Sequence, residues 1–185
     1  AAGLLKYSPT VWIFDPATSW APTASSESQY RAARIALNRY NAKLAAHQAV
    51  FEKRADNLLS TLDRFAADLG SVSALLDQEI HQHSGDFVDF KADDVFYLAK
   101  GKLYAYALLF RELGKDYDKV LQERDLKSVW EQTAASLVEA ATLRPLVVVN
   151  GRPDGLLLPN HLAVEGFYLL RARTQLREIT NILAK

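Results

Sequence analysis

Few side chains here can do chemistry unaided: the chain has four histidines and no cysteine among its 185 residues. His81 and His83, with Asp86 close behind, form the one local group that resembles metal ligands by residue type. Residues two apart on a helix do not face each other, so ligation there would require the helix end to unwind. An incidental or structural role is the simpler reading, and no metal is expected. His161 stands in Asn160-His161-Leu162, with Asn160 placed to cap a helix. An imidazole there can act as a general base or an anion ligand, or more simply bond to the neighbouring turn. Asn150-Gly151 is a turn dipeptide a short way upstream. Asn150, Gly151, Asn160 and His161 together supply polar groups, a turn glycine and a helix N-terminus, the ingredients of a small-molecule or anion site.

Other constellations are weaker. Asp93-Asp94, Asp116-x-Asp118 and Asp86-x-x-Asp89 are acidic pairs. Catalytic carboxylates need a cleft and contrasting environments, which spacing does not show; helix caps and solvated faces account for all three. No serine sits in a nucleophile elbow, and Gly151 and Gly155 lack the glycine-lysine pair of a phosphate loop. Without cysteine there are no disulfides, thiolate metal sites or cysteine nucleophiles. No catalytic residue and no cofactor is assigned, and the balance leans away from an enzyme.

The elements that must position these residues are helices. Apolar side chains recur at 3–4 spacing in three segments. The first runs Tyr30, Ala33, Leu37, Tyr40, Leu44; the second Phe51, Ala55, Leu58, Leu62, Phe65, Leu69, Val72, Leu76; the third from Phe96 through Leu103 and Phe110 to Val120. Such a stripe keeps one helix face apolar over many turns, and that face must bury. Ser26, three before Gln29, gives a capping-box start to helix 1. Residues 27–80 allow either one helix of more than 50 residues or two helices with a turn near Ala46–Val50. The drift of the stripe past His47 favours the turn. Helix 2 is expected over about Phe51–His81. Helix 3 is capped by Asp93, and helix 4 is capped by Asp125 and ended by Pro145. Helix 5 follows Asn160, with Leu162, Leu169, Leu176 and Leu183 seven apart. Arg173 falls on that heptad face, where a charge either pairs with a buried carboxylate, Glu165 and Glu139 being the candidates, or lies at the edge of the seam. Val147–Val149 has strand character, and Leu156–Leu158 is placed to return as a short hairpin. Tyr97 and Tyr104 lie off the main stripe of helix 3 and suggest a second face, either buried or interfacial.

Residues 1–24 differ. Pro9, Pro16 and Pro22 forbid a continuous helix, while Trp12, Ile13, Phe14 and Trp20 suit an extended arm lying on the helical body. The fold expected is therefore all-α: one domain over 1–185, an antiparallel bundle of about five helices over 25–185, the arm, and a β-like turn near 147–158. Apolar content of 49% and charged content of 24% are those of an ordinary globular protein. Basic and acidic residues balance at 22 each, with no basic block, so nucleic acid is not an expected partner. No apolar run reaches the roughly 20 residues of a membrane span. The absence of methionine marks the chain as a processed product or a piece of a longer protein.

The blocks Ser25-Ser26-Glu27-Ser28-Gln29-Tyr30-Arg31, Leu37-Asn38-Arg39-Tyr40 and Arg54-Ala55-Asp56-Asn57-Leu58 resemble the bacterial DUF2333 family. So do Asp68-Leu69-Gly70-Ser71, Asp93-Asp94-Val95-Phe96-Tyr97 with Ala99 and Gly101, and Asn150-Gly151 followed by Asn160-His161. The resemblance spans nearly the whole chain. It implies a Gram-negative inner-membrane protein held by one N-terminal helix outside this chain, with a soluble periplasmic part. It also supports the turn near Ala46–Val50, and it carries no activity or catalytic residue. The function expected is that of a non-enzymatic envelope interaction or scaffold protein with an envelope protein partner. A small-molecule or anion binder, or an enzyme, with its pocket at 150–161 is the alternative. Spare heptad faces also allow two copies to pair.

Overall fold

Apart from the prolines of its first 24 residues and the segment punctuated by Pro145, Pro153 and Pro159, little in this sequence opposes a helix, and the computed structural model is helical along most of the stripe. It describes residues 26–85, 90–152 and 158–185. The expected arm, Asp86, Asp89 and the return strand at Leu156–Leu157 lie outside the described residues. Six helices are present among those described: α1 Ser26–Ala45, α2 Ala55–His83, α3 Phe90–Asp116, α4 Asp118–Glu123, α5 Lys127–Thr142 and α6 His161–Leu183. The chain falls into two compact units, Ala1–Glu52 and Lys53–Lys185.

In the first unit, α1 carries Glu27 in its first turn and Lys43 in its last, both favourable to the helix dipole. The helix is described from Ser26 onward, so the expected capping box at its start borders residues outside those described. It ends at Ala45, and residues 46–54 are not helical, so no single helix spans 27–80. The stop is a Schellman motif. His47 takes the left-handed conformation (φ 56°), Gln48 N–H bonds to Lys43 O, and His47 N–H bonds to Leu44 O. The spacing predicts burial of the α1 stripe, but Tyr30 is 64% exposed and Leu37 and Tyr40 are exposed too.

In the second unit, α2, α3, α5 and α6 form a four-helix ring, each antiparallel to its two neighbours. The pairings follow from cross-helix bonds. On the α2–α3 side, Asp68 accepts from Lys102 Nζ and from Tyr106 OH, each at 2.9 Å, and Phe65 meets the Tyr106 ring edge-on. Between α3 and α5, the Phe110 and Trp130 rings stack at 3.9 Å, and Lys100 Nζ donates to Leu143 O at the end of α5. Between α5 and α6, Ser136 Oγ donates to Gln175 Oε1 at 2.9 Å. The expected stripe supplies the core: Leu58, Leu62, Leu69, Leu76, Phe96, Leu103 and Phe110 are buried, as are Leu162, Leu169, Leu176 and Leu183 of the α6 heptad.

Several boundaries differ from expectation, each for a local reason. Phe51 is exposed and outside α2, which starts four residues later. Asp93 lies in the first turn of α3, which starts at Phe90, instead of capping it. The third stripe is one run in sequence but two helices in space. It breaks at Tyr117, just past Gly114, where a Cβ would sit 2.6 Å from Trp130 Nε1. Asp125 caps nothing at the start of α5. It is the left-handed residue (φ 52°) of a second Schellman motif closing α4, with Leu126 N–H on Leu121 O and Asp125 N–H on Gln122 O. Val147–Val149 forms no strand; a lone antiparallel bridge joins Asn150 to Asn160 among the described residues. Of the two readings of Arg173, pairing with Glu165 or Glu139 is not found among the described residues; the side chain is half-buried, in keeping with a seam-edge position, and its guanidinium packs at Gly70 of α2.

Candidate functional site

Asn150, Gly151, Asn160 and His161 come together at the end of the bundle where α2 finishes and α6 starts. Asn160 is the N-cap of α6: its Oδ1 accepts from Ala163 N at 2.7 Å. Its Nδ2 donates to Asn150 Oδ1 at 3.0 Å and to Gly151 O. Asn150 Nδ2 donates to Glu79 O, and Asn150 O accepts from Gly85 N at 2.8 Å, which binds the loop to the end of α2. His161 Nδ1 accepts from Val149 N at 2.9 Å, which puts the ring proton of the neutral form on Nε2. His161 N–H in turn donates to Val149 O. Gly151 lets the two chain segments close, because a Cβ there would lie 2.5 Å from Leu158 O. Asn150 and Asn160 are buried, and their side-chain bonds tie the loop to α2 and α6.

Two buried acids lie in the helices that this latch joins. Glu79 Oε1 is 2.9 Å from Nδ1 of His83, close but not directed as a hydrogen bond. His83 is half-buried, while His81 is exposed. Glu165, one turn into α6, is 0% exposed, and neither of its carboxyl oxygens has a hydrogen-bond partner among the described residues. Burial pushes its pKa up to about 8, against a smaller downward pull from the Lys100 ammonium. A carboxyl held neutral in this way is the most unusual group in the bundle. Sequence reasoning picks out Glu165 only as a partner for Arg173. A glutamate at a buried heptad-flanking position is the available signal.

A second feature lies away from the latch and shares no residue with it. The outward faces of α3 and α5 enclose a groove of about 980 Å³. Tyr104, Leu108, Ala135 and Val138 form its apolar seat, with Trp130 and Ala134 beneath. Tyr104 is 58% and Val138 48% exposed. Tyr104 is the off-stripe residue that suggests a second face. Sequence reasoning misses Leu108 and Val138, although each is a large apolar residue off the buried spacing. The groove's charges are unevenly satisfied. Arg111 and Lys115 bond to Glu112, and Lys127 bonds to Asp118, each pair at 2.8–2.9 Å. Glu131 and Glu139, on the α5 rim, make no ion pair among the described residues.

Fold and site together define an antiparallel helical bundle closed at one end by an asparagine latch and grooved along one side. The family model for an uncharacterised protein conserved in bacteria, DUF2333, matches residues 4–90 and 85–185. The chain therefore belongs to that family. No curated protein and no solved structure matches it. No helix among the described residues is long and apolar enough to cross a membrane.

Proposed function

We propose that this chain is the partner-binding part of a membrane-tethered envelope protein and works by protein–protein contact, not by catalysis. The observation that carries the reading is the groove between α3 and α5, where apolar side chains on two well-packed helices stay open to solvent. Contiguous exposed apolar surface on a globular protein marks an interaction site. A rigid helix pair also presents such a seat without an ordering cost. At 150–161, where a ligand pocket is the alternative, the polar side chains already hold the loop to α2 and α6. Membrane tethering, the periplasmic side and an envelope partner rest on the resemblance of the sequence blocks to the family.

The test is crosslinking and pull-down of the full-length protein from its own membranes, wild type against Leu108→Glu/Val138→Glu. Both positions are solvent-exposed, so the double variant is expected to fold with an unchanged melting temperature. A discrete partner recovered with wild type and lost with the variant is the expected result. Saturable turnover of an envelope substrate by the purified protein would overturn the reading. So would saturable binding of a small anion that His161→Ala abolishes without loss of stability.

A further inference from the structure

We infer that the occupant of the α3/α5 groove is a cationic amphipathic helix of a partner protein; this rests on the partner-binding reading above. The shape of the seat selects a helix. Tyr104 and Leu108, one turn apart on α3, face Ala135 and Val138, three apart on α5, across a groove of about 980 Å³, and two helix faces lining one groove suit one apolar helix face laid between them. The charges select its sign. Each cation of the groove already bonds to a carboxylate of the same chain, Arg111 and Lys115 sharing Glu112 and Lys127 on Asp118, so with Glu131 and Glu139 four carboxylates stand against three cations. The uncompensated charges are the carboxylates of Glu131 and Glu139 on the α5 rim, both exposed and both lining the groove. They stand eight residues apart on one helix face, roughly 12 Å along the axis. A partner helix with lysine or arginine at two edge positions about two turns apart, flanking its apolar face, meets both carboxylates while filling the seat. An acidic helix would face two unpaired like charges. An anionic membrane surface would be repelled in the same way, so the groove does not suit lipid headgroups.

Isothermal titration tests this on the full chain. The probe is a synthetic helix with leucines on one face and lysines eight residues apart at its edge; a glutamate-edged version serves as control. Saturable binding of the lysine peptide is expected, at least about tenfold tighter than the control at low salt and converging with it at high salt. Glu131→Lys/Glu139→Lys is expected to weaken the lysine peptide by about tenfold and to favour the control instead. Leu108→Glu/Val138→Glu is expected to abolish both. Circular dichroism and melting curves confirm that each variant is folded. Equal binding of the two peptides, or indifference to the charge reversal, overturns the cationic occupant. So does binding of anionic vesicles, or self-association by light scattering, that disappears with Leu108→Glu/Val138→Glu. In each of those outcomes, loss of the natural partner in the same apolar variant leaves the partner-binding reading standing. If the apolar variant neither loses the peptide nor loses the partner, both fall.

Discussion

Glu165 shows how far a single side chain can shape the behaviour of this bundle. Its carboxyl is wholly buried with no donor on either oxygen among the described residues, and its pKa is pushed to about 8 by desolvation. The unfolded chain returns it to the ordinary carboxylate value of about 4.3. Between these values the folded state binds the extra proton, so stability falls as pH rises through that window and levels off above about pH 8. The contribution lost across the window is roughly 3–5 kcal/mol. Denaturant titrations from about pH 5 to about pH 8 should show that decline in wild type and a much flatter profile in Glu165→Gln. Equal slopes would mean that Glu165 ionises freely. Asn160 acts through hydrogen bonds instead. Asn160→Ala removes the cap on α6 and takes away the donor it supplies to Asn150 Oδ1 and Gly151 O, an expected loss of roughly 2–4 kcal/mol in chemical denaturation. Asn160→Asp keeps the cap acceptor but not the two donations, and should fall between alanine and wild type. The cap is legible from the sequence because Asn before a helical stripe has few other uses. The isolation of Glu165 is not, because helical spacing tells which face a residue occupies and not what stands opposite it. Arg173, on the same heptad face, packs at Gly70 instead.

At the scale of elements, the stripes locate the helices and the turns decide their ends. Both Schellman stops use non-glycine residues, His47 and Asp125, in the left-handed region. That is why neither stop can be read from composition: no glycine marks either one, and Asp125 looks like the N-cap of the helix that follows. The assignment of Asp125 to the end of α4 predicts an order of stability. Asp125→Gly should match or exceed wild type by about 0.5 kcal/mol, and Asp125→Ala should fall about 1 kcal/mol below it, because alanine tolerates the left-handed region least. An N-cap would give a different pattern, with both substitutions destabilising and alanine costing about 1 kcal/mol through loss of the side-chain acceptor alone. Thermal melts of the three proteins, combined with amide exchange at the Leu121–Leu126 turn, separate the two. Gly151 is the other element-scale constraint. Its missing Cβ lets the backbone at Leu158 and Pro159 pass at 2.5–2.8 Å from where that atom would be. Gly151→Ala must push two backbone segments apart and should cost roughly 2–3 kcal/mol, a fall in melting temperature of several degrees. The turn dipeptide is visible in the sequence; its close approach to Pro159 depends on a long-range pairing that is not.

For the molecule as a whole, the four long helices of the second unit close into a ring because each carries one apolar stripe and each stripe needs two neighbours. The all-α class and most of the core follow from 3–4 spacing. What spacing hides is the outer surface. A residue such as Leu108 or Val138 breaks the buried pattern, and in sequence that looks like noise until two helices place both on one groove. The chemistry-bearing residues that stand out in the sequence mainly hold the fold together, whereas the groove draws on residues that look ordinary. The most direct test is site-specific photocrosslinking in the full-length protein in its native cells. A crosslinking residue is placed at Leu108 or Val138 in the groove, or at the exposed Arg64 on α2 as a control. The groove positions should each give a discrete adduct of one size, lost when the rim carboxylates Glu131 and Glu139 are reversed to lysine, and Arg64 should give none. Adducts that are absent from the groove, or equally abundant at Arg64, would contradict a partner seated between α3 and α5.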